Sequence, residues 1–266
     1  MKSELLKWWQ TIKISWSTHT AYRLNFFLQI IGPALVFFFV KYNLWSSIYA
    51  GDKLIQIEGY TFSTMINYHV WAFIVGLLGQ GHNSMNLSED IRLGRISTYL
   101  IYPFDFWEFH SSSFIAFQFL QIFVTLISII ILYSTGIIEF HGTFAFLHGY
   151  LYTLFVSVFW FCLQFFTGIL AFWLEETWII RVMFLISTSF FSGAIIPLEF
   201  FPKAMVSILN YTPFPYLTYY PIKIFLGELT NLWAPYGILF LWIGILIAIN
   251  TFIWKRGIRL YSGAGM

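Results

Sequence analysis

The segment FHSSSFIAFQFLQIFVTLISIIILY, residues 109–133, carries no Asp, Glu, Lys or Arg. A helix rises about 1.5 Å per residue and needs about 20 mainly apolar residues to cross roughly 30 Å of hydrocarbon. This segment is therefore long enough to cross a bilayer with some tilt. We predict that the chain is an integral membrane protein built around such helices.

The composition of the whole chain supports the same prediction. Charged residues make up 10% of the 266 residues and the mean hydropathy is +0.73, whereas roughly a quarter of the residues of soluble domains are charged. The net charge of +2 is the difference between 14 basic and 12 acidic residues, so it favours neither nucleic acid nor an acidic partner. The single cysteine, Cys162, can form neither an internal disulfide nor a cysteine-based metal cluster.

Six stretches are long and apolar enough to be membrane-spanning helices. They lie near residues 22–41, 61–80, 109–133, 145–173, 178–196 and 234–254. A cytoplasmic N-terminus places ten of the 14 Lys and Arg residues inside, as the positive-inside rule favours. The sequence thus predicts an all-α integral membrane fold of six transmembrane helices, with both termini in the cytoplasm.

Residues 1–20 differ from the predicted spans because their lysines lie largely off a stripe of apolar residues at helical spacing. The stripe consists of Leu5, Trp8, Trp9, Ile12 and Trp16. This pattern is typical of an amphipathic helix that lies in the membrane interface. It predicts an interfacial helix at 1–20 ahead of a six-span domain at 21–266, and the helix is either a simple anchor or also a contact for a partner.

The most polar segment between two spans is NLSEDIRLGRISTYLIYPF, residues 86–104, which falls on the cytoplasmic side in this topology. Glu89 and Asp90 would begin a short helix, where negative charge suits the helix dipole, and Pro103 would end it. An apolar stripe would run along this helix beside a basic flank. The stripe is formed by Leu93, Ile96 and Leu100. The pattern fits either a capped interfacial helix or a docking helix for a partner.

Residues 197–233 cannot form one straight helix, because five of the eight prolines lie between Pro197 and Pro221. The segment is rich in tyrosine, which suits a membrane interface. We predict a broken, half-buried re-entrant hairpin at the outer face, which would close the outer end of a pathway. The alternative is a linker that dips into the headgroups.

Two segments resemble type-2 ABC exporter permeases. SEDIRLGRISTYLIYPF, residues 88–104, is similar to the cytoplasmic coupling loop of that family. FSGAIIPLEFFPKAMVSILNYTPFPYLTYYPIKIFLGELT, residues 191–230, is similar to its stretch from the fifth span into an extracellular re-entrant hairpin. The topology, the N-terminal helix and the basic C-terminal tail extend the resemblance to nearly the whole chain. The resemblance implies a permease subunit of an ATP-driven exporter in a bacterial inner (plasma) membrane.

The resemblance also implies roles for individual residues. The residues of the coupling helix expected to face an ATPase are Glu89, Asp90, Arg92, Gly94, Arg95 and Ile96. Glu175 and Glu176 would form a second contact, or else a solvated turn that pairs with Arg181. The residues expected to form the extracellular gate are Pro197, Pro213, Phe214, Pro221 and Gly227.

The chain lacks the phosphate-binding pattern GxxxxGK[ST], since none of its eight lysines follows a glycine. ATP-driven transport would therefore need a separate ATPase. We expect two ABC ATPase subunits, which would bind ATP and Mg²⁺, a second permease subunit that is identical or homologous, contact with membrane lipid, and no nucleic acid. We expect no catalytic residue, metal or cofactor in this chain.

Two alternative functions stay open, a polytopic membrane enzyme and a non-transporting assembly subunit. A secondary transporter is disfavoured because ionisable groups are scarce within the spans, and the six histidines show no short metal-ligand spacing. Four polar residues would line a pathway or, equally, make hydrogen bonds between helices. They are Asn67, Gln118, Gln121 and Gln164. The sequence does not predict the substrate.

Overall fold

The structure is a computed structural model that describes residues 2–21, 32, 35, 39–50, 55–80, 86–101, 105–229 and 231–261. Its regular secondary structure is helical, and it includes the helical residues 39–48. The helices are α1 (Lys2–Ala21), α2 (Phe62–Gln80), α3 (Asn86–Arg92), α4 (Ile96–Ile101), α5 (Phe106–Ser134), α6 (Thr143–Ile169), α7 (Trp178–Phe191), α8 (Lys203–Leu209), α9 (Phe214–Leu217), α10 (Tyr219–Phe225) and α11 (Trp233–Leu260). A short 3₁₀ turn, Leu170–Phe172, extends α6, and a second one covers Leu198–Phe200.

Four helices, α2, α5, α6 with its extension, and α11, are long and apolar enough to cross a membrane. They correspond to the second, third, fourth and sixth predicted spans. The fifth predicted span, 178–196, is only partly helical: α7 has 14 residues and rises about 21 Å, less than the roughly 30 Å of hydrocarbon. α7 ends at Phe191, shortly before Gly193, whose positive φ of 83° breaks the helical path. Most of the first predicted span, 22–41, lies outside the described residues.

The helix α6 is the centre of the fold. It packs against α2, α3, α10 and α11, and many of its side chains are buried. The outward face of α5, by contrast, exposes large apolar side chains such as Phe123, Ile127 and Ile130. An exposed face of this composition suits contact with lipid.

Two glycines let other segments approach α6 closely. A Cβ atom at Gly149 would lie 2.6 Å from Cδ1 of Phe225 in α10, and a Cβ atom at Gly168 would overlap the side chain of Leu87 in α3. We call these two positions the glycine notches of α6. They lie 19 residues apart in the sequence, about 28 Å along the helix axis. One helix therefore holds both the polar loop segment (86–101) and the hairpin segment (197–229).

The hairpin segment is broken into short helices, as its prolines predict. Pro202 and Pro213 stand immediately before α8 and α9. The last short helix, α10, is buried against α2 and α6. Phe225 stacks on Trp71 of α2, with 4.2 Å between ring centroids and 12° between ring planes. The re-entrant placement of this segment at an outer membrane face stays a prediction.

The N-terminal helix α1 packs against α5. The position of α1 in the membrane interface stays a prediction.

The Gly149 notch predicts a large effect of a single methyl group. Replacing Gly149 with Ala should lower the free energy of unfolding by about 1–3 kcal/mol, because the added Cβ overpacks the site against the buried ring of Phe225. Gly244→Ala is the matched control, because a Cβ there meets no heavy atom within 4 Å. Thermal unfolding of the purified chain in detergent measures the effect, and equal stability of the two variants would contradict it.

Candidate functional site

The polar loop segment forms two short helices rather than the single helix predicted. α3 ends in a Schellman motif, in which the Arg95 N–H donates to the Asp90 carbonyl (2.9 Å) and the Gly94 N–H to the Ile91 carbonyl (3.3 Å). Gly94 has a φ of 73°, which glycine adopts without the strain that a Cβ would bring. The prediction of one continuous helix is therefore wrong, because the chain turns at Gly94 before α4 begins.

The turn also changes which side chains are buried. Leu93, predicted to lie on the apolar stripe, is 55% exposed, whereas Leu87, Ile91 and Ile96 are buried in one cluster with residues at the start of α5 and the end of α6. The side chain of Leu100 and the whole of Pro103, the predicted end of the helix, lie outside the described residues. The apolar face of this segment thus packs onto the helix bundle.

An ion pair closes the turn. Arg95 Nη1 lies 3.2 Å from Asp90 Oδ1, and Arg95 Nη2 lies 3.3 Å from Glu89 Oε1. In a Schellman motif the positions of Asp90 and Arg95 commonly make an apolar contact. Burial raises the pKa of the Asp90 carboxyl, although its bond to Arg95 opposes the shift. Asp90 and the fully buried Ile96, both expected to face an ATPase, instead point into the chain, while Glu89 and Arg95 stay about half exposed.

Arg92 joins the polar loop segment to the loop between α6 and α7. Its Nη1 donates to the Glu175 carbonyl and to Glu176 Oε1, each at 2.9 Å. The structure therefore brings the two predicted ATPase contacts, the loop segment and the Glu175–Glu176 turn, side by side. Between them lies a polar cavity of about 170 Å³, which Gln164 and Arg181 also line.

The other predicted pathway residues lie in different surroundings. The Nε2 atoms of Gln118 and Gln121, both in α5, donate to the carbonyls of Leu78 and Leu77 at the end of α2, each at 3.0 Å. These are interhelical hydrogen bonds, which favours a packing role for the two glutamines over a role in lining a pathway. Asn67 is buried in α2, where its Oδ1 has no hydrogen-bond partner among the described residues.

A cluster of charges lies within the hairpin segment. Lys223 is 7% exposed, and its Nζ lies 2.9 Å from Glu199 Oε1 and 2.6 Å from Glu228 Oε2. The Tyr219 hydroxyl donates to Glu199 Oε1 at 2.8 Å, and Lys223 Nζ lies 5.0 Å from the ring centroid of Tyr60. We call Glu199, Lys223 and Glu228 the ion cluster.

The groups of the ion cluster reinforce one another electrostatically. Burial alone would lower the pKa of Lys223, but the bonds to Glu228 and Glu199 outweigh burial and raise it. Burial alone would raise the pKa of Glu199, but the bond to Lys223 outweighs burial and lowers it. The stabilisation by Glu199 is therefore present above the usual carboxyl range and is lost as the pH falls through its lowered pKa.

The ion cluster contains a second turn like the one at Gly94. The Glu228 N–H donates to the Lys223 carbonyl and the Gly227 N–H to the Ile224 carbonyl, each at 3.0 Å, and Gly227 has a φ of 68°. KIFLGE at 223–228 thus repeats DIRLGR at 90–95 with the two charges exchanged. We call these two segments the charged glycine turns.

The sequence pattern marks only half of this cluster. Lys223 and Glu228 lie five residues apart around Gly227, a spacing that a Schellman turn brings together, so this half of the cluster had a local signal. Glu199 reaches Lys223 only through the folded hairpin, and no short-range pattern marks it.

The structure separates the residues predicted to form a gate. Pro221 and Gly227 lie in and just after α10, beside the ion cluster. Pro213 precedes α9 and Phe214 begins it. Phe214 contacts Phe191 at the end of α7, with 5.8 Å between ring centroids. Pro197 precedes the 3₁₀ turn that carries Glu199. The gate function of these residues stays a prediction.

The ion cluster predicts that Lys223 is needed for stability. Lys223→Met should cost roughly 3 kcal/mol, because removing one partner of a buried ion pair leaves the other charge uncompensated. Lys203→Met removes the same charge from the same segment at an exposed position and is the control. Thermal unfolding measures both, and the loss should shrink at acid pH, where protonated Glu199 no longer needs a cation. A loss that is equal in both variants would rule out the cluster as its cause.

One comparison with known proteins identifies a family. The family model described as "ABC-2 family transporter protein" matches residues 31–265, a range that includes the polar loop segment, α6 and the ion cluster and begins after α1. None of the curated proteins matches the chain.

Proposed function

Because the chain belongs to the ABC-2 family of transporter membrane proteins, we propose that it is the permease subunit of an ATP-driven exporter. Two ABC ATPase subunits would bind ATP and Mg²⁺, and a second permease subunit, identical or homologous, would complete the pathway across a bacterial inner membrane. The observation that carries the proposal is the packed connection that runs from the polar loop segment through α6 to the hairpin segment.

The connection begins at the polar loop segment. Leu87 is fully buried in the Gly168 notch, and Arg92 ties the segment to the loop after α6. A force on this segment would therefore move α6 with it, because closely packed elements shift as rigid bodies. The exposed charges of Glu89 and Arg95 offer the surface on which an ATPase would act.

The connection ends at the hairpin segment. Phe225 is buried in the Gly149 notch and against Trp71, so α10 would follow a displacement of α6. The ion cluster keeps α10 attached to the 3₁₀ turn of Glu199. A movement that starts at the ATPase would thus reach the segment proposed to close the outer end of the pathway.

Co-purification tests the proposal directly. The chain, carrying a C-terminal tag, is extracted from its native membrane in mild detergent, and the proteins that accompany it are identified by mass spectrometry. We expect a stoichiometric ATPase with a GxxxxGK[ST] motif, because this chain has none. A second permease chain beside it would indicate a heterodimer. Recovery of the chain without an ATPase in several detergents would contradict the proposal.

Charge reversal tests the role of the polar loop segment. Arg92→Glu should reduce the amount of ATPase retained and the rate of ATP hydrolysis several-fold, because it separates the loop segment from the Glu175–Glu176 turn. It should change thermal stability little, since exposed ion pairs contribute about 0–1 kcal/mol. Adding Glu176→Arg should restore both readouts, because it rebuilds the pair with its charges exchanged.

Two controls separate the possible results of this charge reversal. Lys203→Glu makes the same charge change on the hairpin segment and should leave both readouts unchanged. Failure of Glu176→Arg to restore the readouts would mean that Arg92 contacts the ATPase itself. Full ATPase retention and hydrolysis in Arg92→Glu would exclude this segment from docking.

A further inference from the structure

A groove of about 530 Å³ lies beside the last turns of α11. Its walls are apolar, and its rim carries two arginines, Arg256 and Arg259. The wall residues are Leu170 and Trp173 from the end of α6 and Phe252, Ile253 and Leu260 from α11. The groove thus combines an apolar surface with a concentrated positive charge.

The two arginines are available to an anion. Among the residues that the structure describes, no carboxylate lies within ion-pair distance of Arg256 or Arg259. The two lie three positions apart on α11, so their side chains project as neighbours from one face. The Arg256 guanidinium lies over the Phe252 ring, 4.3 Å from its centroid, which keeps the charge beside the apolar wall.

The two walls of the groove are joined by a close contact between Gly257 of α11 and Phe172 of the 3₁₀ extension of α6. A Cβ at Gly257 would overlap the ring of Phe172, so α11 and the 3₁₀ extension of α6 approach closely at this point. Phe252, Leu260 and Trp173 are nevertheless substantially exposed. α11 and α6 are both long and apolar enough to span a membrane, and in such an arrangement these side chains, at the ends of the two helices, would meet the level where acyl chains give way to headgroups.

We propose that this groove binds an anionic phospholipid. The acyl chain lies along the apolar wall, and the phosphate lies between Arg256 and Arg259, whose guanidinium groups match phosphate oxygens in geometry and charge. A soluble phosphate uses only the rim and leaves the apolar wall uncovered. A zwitterionic lipid offers the same wall contact, but its own cation offsets the phosphate, so net negative charge is the feature that this site selects.

The test measures which lipid stays bound to the full-length chain. The chain is purified in mild detergent, stripped of lipid, and mixed with equal amounts of phosphatidylglycerol and phosphatidylcholine that carry the same acyl chains. Native mass spectrometry then counts the bound molecules of each. We expect a preference for phosphatidylglycerol that falls about fivefold in Arg256→Gln and in Arg259→Gln, the factor expected from one interfacial basic residue.

Lys255→Gln is the matched control. Lys255 is adjacent in sequence and carries the same charge, but it lines another groove, toward α4 and α5. The variant should keep the full preference. An equal preference for both lipids, an equal loss in Lys255→Gln, or displacement of the lipid by millimolar inorganic phosphate would each overturn the proposal. The three substituted side chains are exposed, so a common thermal stability confirms that the variants are folded.

Discussion

Close packing at Gly149 and Gly168 of α6 is the constraint on which the other contacts depend. Inside a bilayer, apolar side chains gain little by leaving lipid for another helix, so van der Waals contact and hydrogen bonds decide which elements associate. A side chain that enters a glycine notch makes many such contacts at once. Leu87 and Phe225, both buried, make such contacts at Gly168 and Gly149. The position of each short segment therefore depends on a glycine of α6 that its own sequence does not contain.

Ion pairs add a second set of contacts to the apolar packing of the short segments. In each charged glycine turn, the backbone reversal brings two opposite charges together, Asp90 with Arg95 and Lys223 with Glu228. One member of each pair, Asp90 or Lys223, is buried, and the other is about half exposed. Taking a charge out of water costs desolvation energy, so each turn favours the geometry that keeps its buried charge paired. The buried side chains Ile91 and Phe225 lie within these turns, so the turn and the apolar contact form one local unit at each notch.

The sequence predicts the long helices well and the short ones poorly, for a physical reason. Length and hydropathy alone mark α2, α5, α6 and α11, because the thickness of a bilayer demands such runs. Helical periodicity predicts one continuous helix in the polar loop segment and is wrong there, because Gly94 turns the chain and exposes Leu93. The sequence does not predict the pairing of Glu199 with Lys223, because 24 residues separate them and only the fold of the hairpin segment brings them together. Gly168 carried no signal, since its partner Leu87 comes from another segment.

The spacing of the glycine notches has a mechanical consequence. At about 100° per residue, positions 19 residues apart point in directions that differ by about 100° around the helix axis. α3 and α10 thus contact α6 at different heights and on sides of the helix that differ by about 100°. A roll of α6 about its own axis would swing both, each in a different direction, whereas a bend between the notches would absorb the motion. α6 contains no proline between Thr143 and Ile169, so the commonest cause of a sharp kink is missing between the notches, which favours rotation of the helix as one body over bending.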